Sequence, residues 1–596
     1  MKKNSRLPLG PRKGLEKGLT STLIALGFAI NAFLVLLCVE WLSRRSYDSI
    51  LAWSAGHVIY LFPTWLLILA CTLLFAALRG KPSRGVRWGN GFLFLLAAIS
   101  YYKFEYRSEP LVFSDFFEVT EALMIAPELD FVFPPLIVGT LLFMFFLLPL
   151  LMPGDAWRIR SKKGILGILA GVLFFFYAAQ SLVSVPTPRA FLYQELYNEC
   201  GFLRGFIDTA FAGGFTKPEN YTRERIESWL QDTNAQDDVS VVQPDVFFIM
   251  SESLYDLASY TDLELNRDPL QGFKVLQAQG TSADVMALGL GGGTFPSEYE
   301  VLTGYRSVDG NGSLIFDRES IQPGMQTLPS LLKAHGYRTA AMHPNTGSFY
   351  NRKRNYPKLG FDETYFSDQG LPPMEDYAGQ FPSDRALFEY ILRWYHTSQD
   401  DAPVFLHTVT FQNHGGYLYP PVKTDVHVTN RSGEERQAAE NYANGILDHV
   451  EALEDFLAEL QQEKRPIIVV VWGDHAPNLK SFGISTPKDK IEAASHFLTP
   501  LLVWNNYGAK FTLDDPVIPP YRLGAWLAHQ LGFREDRYFN YLATGAQTDT
   551  MTILRLCEQG GAFLNDPALY QDVDAALYMM HYDRLLGNNW VKEGVK

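Results

Sequence analysis

Apolar and polar positions along the chain follow two different rules. Up to about residue 186 the apolar residues come in long blocks, at 19–42, 51–78, 88–102, 132–152 and 164–182. A helix crossing the hydrocarbon core needs about 20 mostly apolar residues, so the blocks predict five spans, the third of them short. The first is too long for a cleaved signal peptide, and four more follow it. From Val241 onward short apolar runs alternate with amphipathic stretches. That pattern predicts an α/β domain with a largely parallel central sheet. The expected organisation is a five-helix transmembrane anchor over 1–186 and a juxtamembrane helical linker over 187–240. A catalytic α/β domain follows over 241–550, with a C-terminal segment, 551–596, packed on it.

Charge follows the same division. The 596-residue chain carries a net −14, yet the part up to residue 186 holds 18 Lys/Arg against 11 Asp/Glu, a net of +7, which leaves −21 for the rest. Acidity of that size excludes a nucleic-acid partner, which needs a basic footprint. Fourteen basic residues fall on one side of the expected spans: Lys2, Lys3, Arg6, Arg12, Lys13 and Lys17 in the tail, Arg79, Lys81, Arg84 and Arg87 in one loop, and Arg158, Arg160, Lys162 and Lys163 in another. The opposite loops hold only Arg44, Arg45, Lys103 and Arg107. Positive charge stays inside. The expected location is therefore a bacterial cytoplasmic membrane, with a cytoplasmic N-terminus and everything after residue 186 outside. In the loop 103–131, Phe113, Phe116, Phe117, Leu123 and Met124 fit either a helix lying on the outer surface or a plain connecting helix. The four cysteines show no ligand spacing; Cys200 and Cys557 either form one bridge or stay as thiols.

Four apolar runs end in residues capable of chemistry. Residues 245–250 lead into Glu252, 337–342 into His343, 404–411 into Asn413-His414, and 467–472 into Gly473-Asp474-His475. In open α/β sheets, ligands bind beyond the carboxyl ends of the strands, so parallel strands would bring these side chains to one crevice. Each alone also reads as a helix cap or a hydrogen-bonded histidine. A fifth element, Gly291-Gly292-Gly293-Thr294-Phe295-Pro296-Ser297, reads as a close-packed turn opening a helix, with Thr294 where N–H groups and the helix dipole face an anion. Glu252, Asp474, His475 and the Thr294 oxygen together make one divalent-metal site, better suited to Zn²⁺ or Mn²⁺ than to Ca²⁺. The metal would activate the Thr294 hydroxyl as a nucleophile toward a phosphate ester. His414 and Arg352 are candidates for binding the phosphate, and a histidine for protonating the leaving group.

These residues resemble a known family. Thr294-x-Pro296-Ser297 followed by Thr303-Gly304 has the spacing of the sulfatase signature, with Thr in place of the Cys or Ser that becomes formylglycine and Glu298 in place of its arginine. More closely, Glu252-Ser253, Gly291 to Thr294, Tyr350-Asn351-Arg352, Asn413-His414, Gly473-Asp474-His475 and Tyr582-Asp583-Arg584 resemble the lipoteichoic acid synthase and phosphoglycerol transferase family. That family is a membrane-bound, sulfatase-like branch of the alkaline phosphatase superfamily. The resemblance implies Thr294 as nucleophile and metal ligand, completed by Glu252, Asp474 and His475, with His343, Tyr350, Arg352 and His414 around a glycerophosphate. Tyr350 stands where those synthases carry Trp, and Asn345 where they carry Asp. The implied reaction moves glycerol phosphate from phosphatidylglycerol to a polyglycerophosphate, a glycolipid or a periplasmic glucan. It needs one divalent ion, Mn²⁺ before Zn²⁺ or Mg²⁺, and no organic cofactor. The alternatives are phosphoethanolamine transfer and a non-catalytic sensor that kept the fold.

Overall fold

The computed structural model describes residues 11–107, 110–117, 133–152, 193–211, 217–230, 242–306 apart from 288 and 290, 321–397 apart from 322 and 323, 401–484, 494–544 apart from 514, and 573–593, with a few isolated positions besides. Two compact units are present: Met1–Phe116 with Asp130–Gly213, and Phe117–Leu129 with Gly214–Lys596.

The first unit is helical. Helices α1 (Pro11–Arg44), α2 (Tyr47–Gly56), α3 (Val58–Arg79) and α4 (Pro82–Arg107) precede α5 (Pro135–Leu141), which runs on through a π-helical turn, Leu142–Leu147. Two of the helices have stretches long and apolar enough to cross a membrane, Thr22–Arg44 and Ile59–Arg79. The expected second span is split: His57 leaves the helical region, and α2 ends there before α3 begins. The third and fourth expected spans lie within α4 and in the stretch from α5 to Leu151, while the fifth and Cys557 fall outside the described residues. In the loop after α4 the described residues include a 3-10 turn, Phe113–Phe117; Leu123, Met124 and most of the stretch expected to form a surface or connecting helix lie outside the described residues. Small residues set the α3–α4 hairpin. A side chain at Gly85 would come within 2.1 Å of the Ala76 backbone, and one at Gly89 would sit 3.0 Å from Thr72. Asn31 and Asn90 exchange hydrogen bonds (3.1 and 2.9 Å) inside this otherwise apolar packing. Helices α6 (Tyr193–Cys200) and α7 (Phe202–Phe211) complete the unit, and Cys38, Cys71 and Cys200 are free thiols.

The second unit begins with α8 (Arg223–Leu230) and is built on one eight-stranded sheet. Its elements in chain order are β1 (Asp245–Ser251), α9 (Gln271–Gln279), β2 (Thr281–Met286), α10 (Thr294–Thr303), α11 (Leu328–Ala334), β3 (Arg338–His343), α12 (Arg352–Leu359) and β4 (Glu363–Phe366). A small hairpin, β5 (Tyr377–Ala378) and β6 (Phe381–Pro382), precedes α13 (Asp384–Thr397), β7 (Val404–Val409), α14 (Gly433–Leu460) and β8 (Ile467–Gly473). Then come β9 (Leu498–Asn505), β10 (Val517–Ile518), α15 (Pro520–Gln530), α16 (Arg537–Thr544) and α17 (Val573–Leu585).

The strand order is β10-β2-β9-β8-β1-β7-β3-β4. Strands β8, β1, β7, β3 and β4 are mutually parallel, and β9 alone runs against its neighbours. The largely parallel sheet is as expected, and the apolar runs are uninterrupted because both faces are covered. Along β1, Val246, Phe248 and Met250 enter one core with α10, α15 and α17, whereas Phe247 and Ile249 enter the other with α13 and α14. Phe248 lies at the centre, 4.3 Å from the Trp472 ring on β8. Phe248→Ala is expected to destabilise the protein by about 3–5 kcal/mol, read as a lower denaturant midpoint with an unchanged slope.

Candidate active site

Strands β1 and β8 are parallel neighbours with Ser251 opposite Gly473. The next residue of each, Glu252 and Asp474, therefore leaves the sheet beside the other. Gly473 has no room for a side chain, since a β-carbon there would lie 2.1 Å from the Leu254 carbonyl oxygen. Ser253 turns the chain in the left-handed region (φ 52°). Its N–H donates to Asp474 Oδ1 (2.7 Å), its hydroxyl donates to Glu252 Oε1 (3.0 Å), and its carbonyl accepts from Tyr442 OH (2.5 Å). The Glu252 N–H donates to Thr410 Oγ1 just beyond β7 (3.0 Å). Beneath this turn, Ser251 Oγ is 3.2 Å from His449 Nε2, and His449 Nδ1 is 2.8 Å from Asp384 Oδ2, all three buried.

His475 completes a cluster with Glu252 and Asp474, in which one ligand atom from each lies within 4.8 Å of the others. Its Nδ1 is 2.9 Å from the Ala476 carbonyl, which assigns the proton to that nitrogen. The lone pair on Nε2 then faces Asp474 Oδ2 at 3.3 Å and Glu252 Oε1 at 3.6 Å. Asp474 Oδ2 is buried and accepts no hydrogen bond. Two carboxylates and an imidazole lone pair thus converge, a donor set that fits a divalent cation. Burial, and then the neighbouring Asp474, raises the Glu252 carboxyl to about 8. A bound cation reverses that effect.

Thr294 is the first residue of α10, capped by Gly293 at φ 114°. The glycine loop is clipped to the Asp474 side by Gly291 N–H donating to the Ala476 carbonyl (2.8 Å), and α10 by Ser297 Oγ donating to the Asp474 carbonyl (2.6 Å). Thr294 Oγ1 thereby sits 3.5 Å from Glu252 Oε2 and 3.4 Å from His475 Nε2. A hydroxyl at the start of a helix and beside this cluster has the surroundings of a candidate nucleophile.

Arg352, a candidate for binding phosphate, has a partner within the fold. The guanidinium makes a forked ion pair with buried Glu298, Nη2 to Oε2 at 2.9 Å and Nε to Oε2 at 3.1 Å. Only Nη1 is buried without a partner. Glu298 also accepts from Tyr356 OH and lies 3.7 Å from His407 Nε2. Burial alone would raise the Glu298 carboxyl; Arg352 and then His407 outweigh it and hold it at about 2. Tyr350 (φ 54°) lies under the Arg352 guanidinium at 5.2 Å and 5.3 Å from the ring of Phe295, next to Thr294. His343 Nδ1 is 3.0 Å from the Val409 carbonyl, and its Nε2 is buried and unpartnered. Burial first, and then Arg352, pushes His343 well below its usual value, so it is neutral and unsuited to donate a proton. His414 is half-buried, its ring 5.1 Å from Phe411 and 5.3 Å from Phe381. Sequence reasoning missed Glu298 as the partner of Arg352, and Ser253, Thr410, His407 and the Asp384–His449 pair as supports. Only the unusual acidic residue at 298 was visible as a departure.

Comparison with known proteins agrees with this architecture. Residues 244–532 match the family model described as Sulfatase. A protein of Rhizobium meliloti named for cyclic beta-1,2-glucan modification is 28% identical over 363 residues, 58% of this chain and 55% of that relative. The chain thus spans about half the length of that relative. Among solved structures, Streptococcus pyogenes phosphoglycerol transferase in complex with sn-glycerol-1-phosphate superposes with a TM-score of 0.53 at 21% identity, over 64% of this chain and 98% of that one. The integral membrane lipooligosaccharide phosphoethanolamine transferase A of Neisseria meningitidis gives 0.50 at 11% identity, over 87% and 98%. The family resemblance carried by the motifs is matched in the fold.

The buried pair has a pH signature. Glu298 is held below its ordinary value of 4.5, so its contribution to stability is complete above that value and fades as pH falls toward about 2. Glu298→Gln is expected to lower stability by about 3–5 kcal/mol at neutral pH and to flatten the loss between those two pH values. Thermal melts of both proteins across that range check the sign. Replacing Glu298 and Arg352 together by Met should recover part of the loss.

Proposed function

We propose that the chain is a membrane-bound phosphoglycerol transferase using phosphatidylglycerol outside the cytoplasmic membrane, anchored by its N-terminal helices with the N-terminus inside. The observation that carries this reading is the Thr294 hydroxyl at the start of α10, held 3.5 Å from Glu252 and 3.4 Å from His475. Glu252, Asp474, His475 and Thr294 would hold one divalent ion, Mn²⁺ foremost, which when bound supplies positive charge that acidifies the hydroxyl and screens the phosphate.

The chain's own residues then do the following. The Thr294 hydroxyl gives up its proton to solvent and its Oγ attacks phosphorus; the Thr–O–P bond forms, the bond to the diacylglycerol oxygen breaks, and that oxygen leaves with a proton. We assign that second proton to His414, the half-buried histidine. The free Nη1 of Arg352 donates to a phosphate oxygen, while Glu298 keeps the guanidinium oriented. Neutral His343 offers Nε2 as an acceptor to a head-group hydroxyl. In the second half, an acceptor hydroxyl forms its own bond to phosphorus, the Thr294–phosphorus bond breaks, and the proton passes to Thr294. The relative named for glucan modification supports a glycan among the acceptors.

Incubation with phosphatidylglycerol in the absence of acceptor is expected to leave a glycerophosphate mass on the Thr294 peptide. Thr294→Ala should remove the adduct and lower turnover by about three orders of magnitude or more. A phosphoethanolamine adduct, formed only from phosphatidylethanolamine, would replace the donor assignment; no adduct and no effect of Thr294→Ala would favour a sensor. Asp474→Asn should reduce bound metal, measured by elemental mass spectrometry on protein purified in Mn²⁺, to background.

A further inference from the structure

A second recess lies outside the cluster just described. Between the β5–β6 hairpin, the loop that follows His414 and helix α14, a cleft of about 130 Å³ opens to solvent. Tyr377 stands on its rim, 52% exposed, and Tyr419 lines its wall. The Tyr419 ring is packed so closely on the hairpin that a side chain at Gly379 (φ 77°) would come within 2.6 Å of it. The acceptors are set by the surrounding bonds. Asp376 Oδ2 accepts from Ser383 Oγ (2.5 Å), leaving Oδ1 open. Asn441, more than nine-tenths buried, spends its N–H groups on the carbonyls of Tyr417 and Tyr419 (2.8 and 2.7 Å), leaving its Oδ1 without a bond from the protein.

Both cations in the lining are already answered. Arg385 pairs with Asp455 (2.5 Å), and Lys423 pairs with Asp448 and with Glu451 (3.1 Å). Together with Asp376, this leaves no excess positive charge to hold a phosphate chain. The remaining features are aromatic faces beside fixed hydrogen-bond acceptors. They fit a ring with an apolar C–H face and a rim of hydroxyl groups.

The cleft shares its walls with the His414 segment. Phe381, on the same hairpin as Tyr377, packs 5.3 Å from the His414 ring. Gln380 donates to the Gly416 carbonyl (3.3 Å), and Gln412 donates to the Gly445 carbonyl (3.0 Å) and to Asp448 (3.2 Å) on α14. A chain seated in the cleft therefore lies against the segment that borders the reacting phosphate.

We propose that this cleft is the acceptor subsite and takes a neutral glycan, one pyranose ring on Tyr377 with its hydroxyls donating to Asp376 and Asn441. The assignment deepens the transferase reading and rests on it. A hydroxyl of a neighbouring sugar supplies the oxygen that forms the new bond to phosphorus as the Thr294–phosphorus bond breaks, and its proton goes to Thr294.

Binding is measured separately from turnover, on full-length Thr294→Ala protein in detergent, by calorimetry with a short neutral β-glucan and with an oligoglycerophosphate. The glucan is expected to bind, and Tyr377→Ala to weaken it about tenfold; Asp376→Asn, which barely changes shape, should also weaken it. Glucan affinity unmoved by both changes, or no glucan binding, overturns the proposal. So does oligoglycerophosphate binding that is lost on Lys423→Ala. Glucan binding that depends on Tyr377, in a protein that forms no adduct with phosphatidylglycerol, upholds the subsite and removes only the donor assignment.

Discussion

Two carboxylates leave adjacent parallel strands at the same level and meet where almost no water reaches. Glu252 and Asp474 owe this to the register of β1 on β8, in which Ser251 faces Gly473. Like charges so placed repel unless a positive charge lies between them. The rest of the site is an answer to that constraint. His475 turns its lone pair inward because its Nδ1–H donates to the Ala476 carbonyl, Ser253 spends both its N–H and its hydroxyl on the two acids, and Thr294 brings an oxygen to the same point.

The neighbouring Glu298–Arg352 pair solves the opposite problem. An arginine beside a cation site would be repelled by it, and a free guanidinium would also bind any passing anion. Buried Glu298 cancels most of that charge while leaving one N–H pair of Arg352 open. In the proposed reaction, such partial neutralisation would favour one geometry of phosphate contact over general attraction of anions. It suits a domain whose overall charge is strongly negative.

Much of this was legible in the sequence because strand ends are local features. Apolar runs closing on Glu252, His343, His414 and Asp474 announced parallel strands with chemistry at their carboxyl ends, and the glycines before Thr294 announced a helix start. What was not legible depends on distant pairing. Glu298 and Arg352 are 54 positions apart, and His449 reaches Asp384 and Ser251 from a helix whose own pattern reads as ordinary amphipathic packing. The reversed strand β9, Leu498–Asn505, is an apolar run much like the parallel β8, and nothing in such a run gives its direction, which is a property of the sheet. In the first unit, only Gly56 marks the break at His57, a single glycine inside an apolar block long enough to read as one span.

Gly473 carries a consequence for how such a site is gained or lost. It has clearance for a hydrogen atom and nothing larger, and it is the hinge pin between the strand that carries Asp474 and the turn that carries Glu252. A single added methyl group would wedge the two apart, and both acids would leave together. The pairing of the two acids is thereby tied to one missing carbon atom, at a position that contributes no ligand atom of its own.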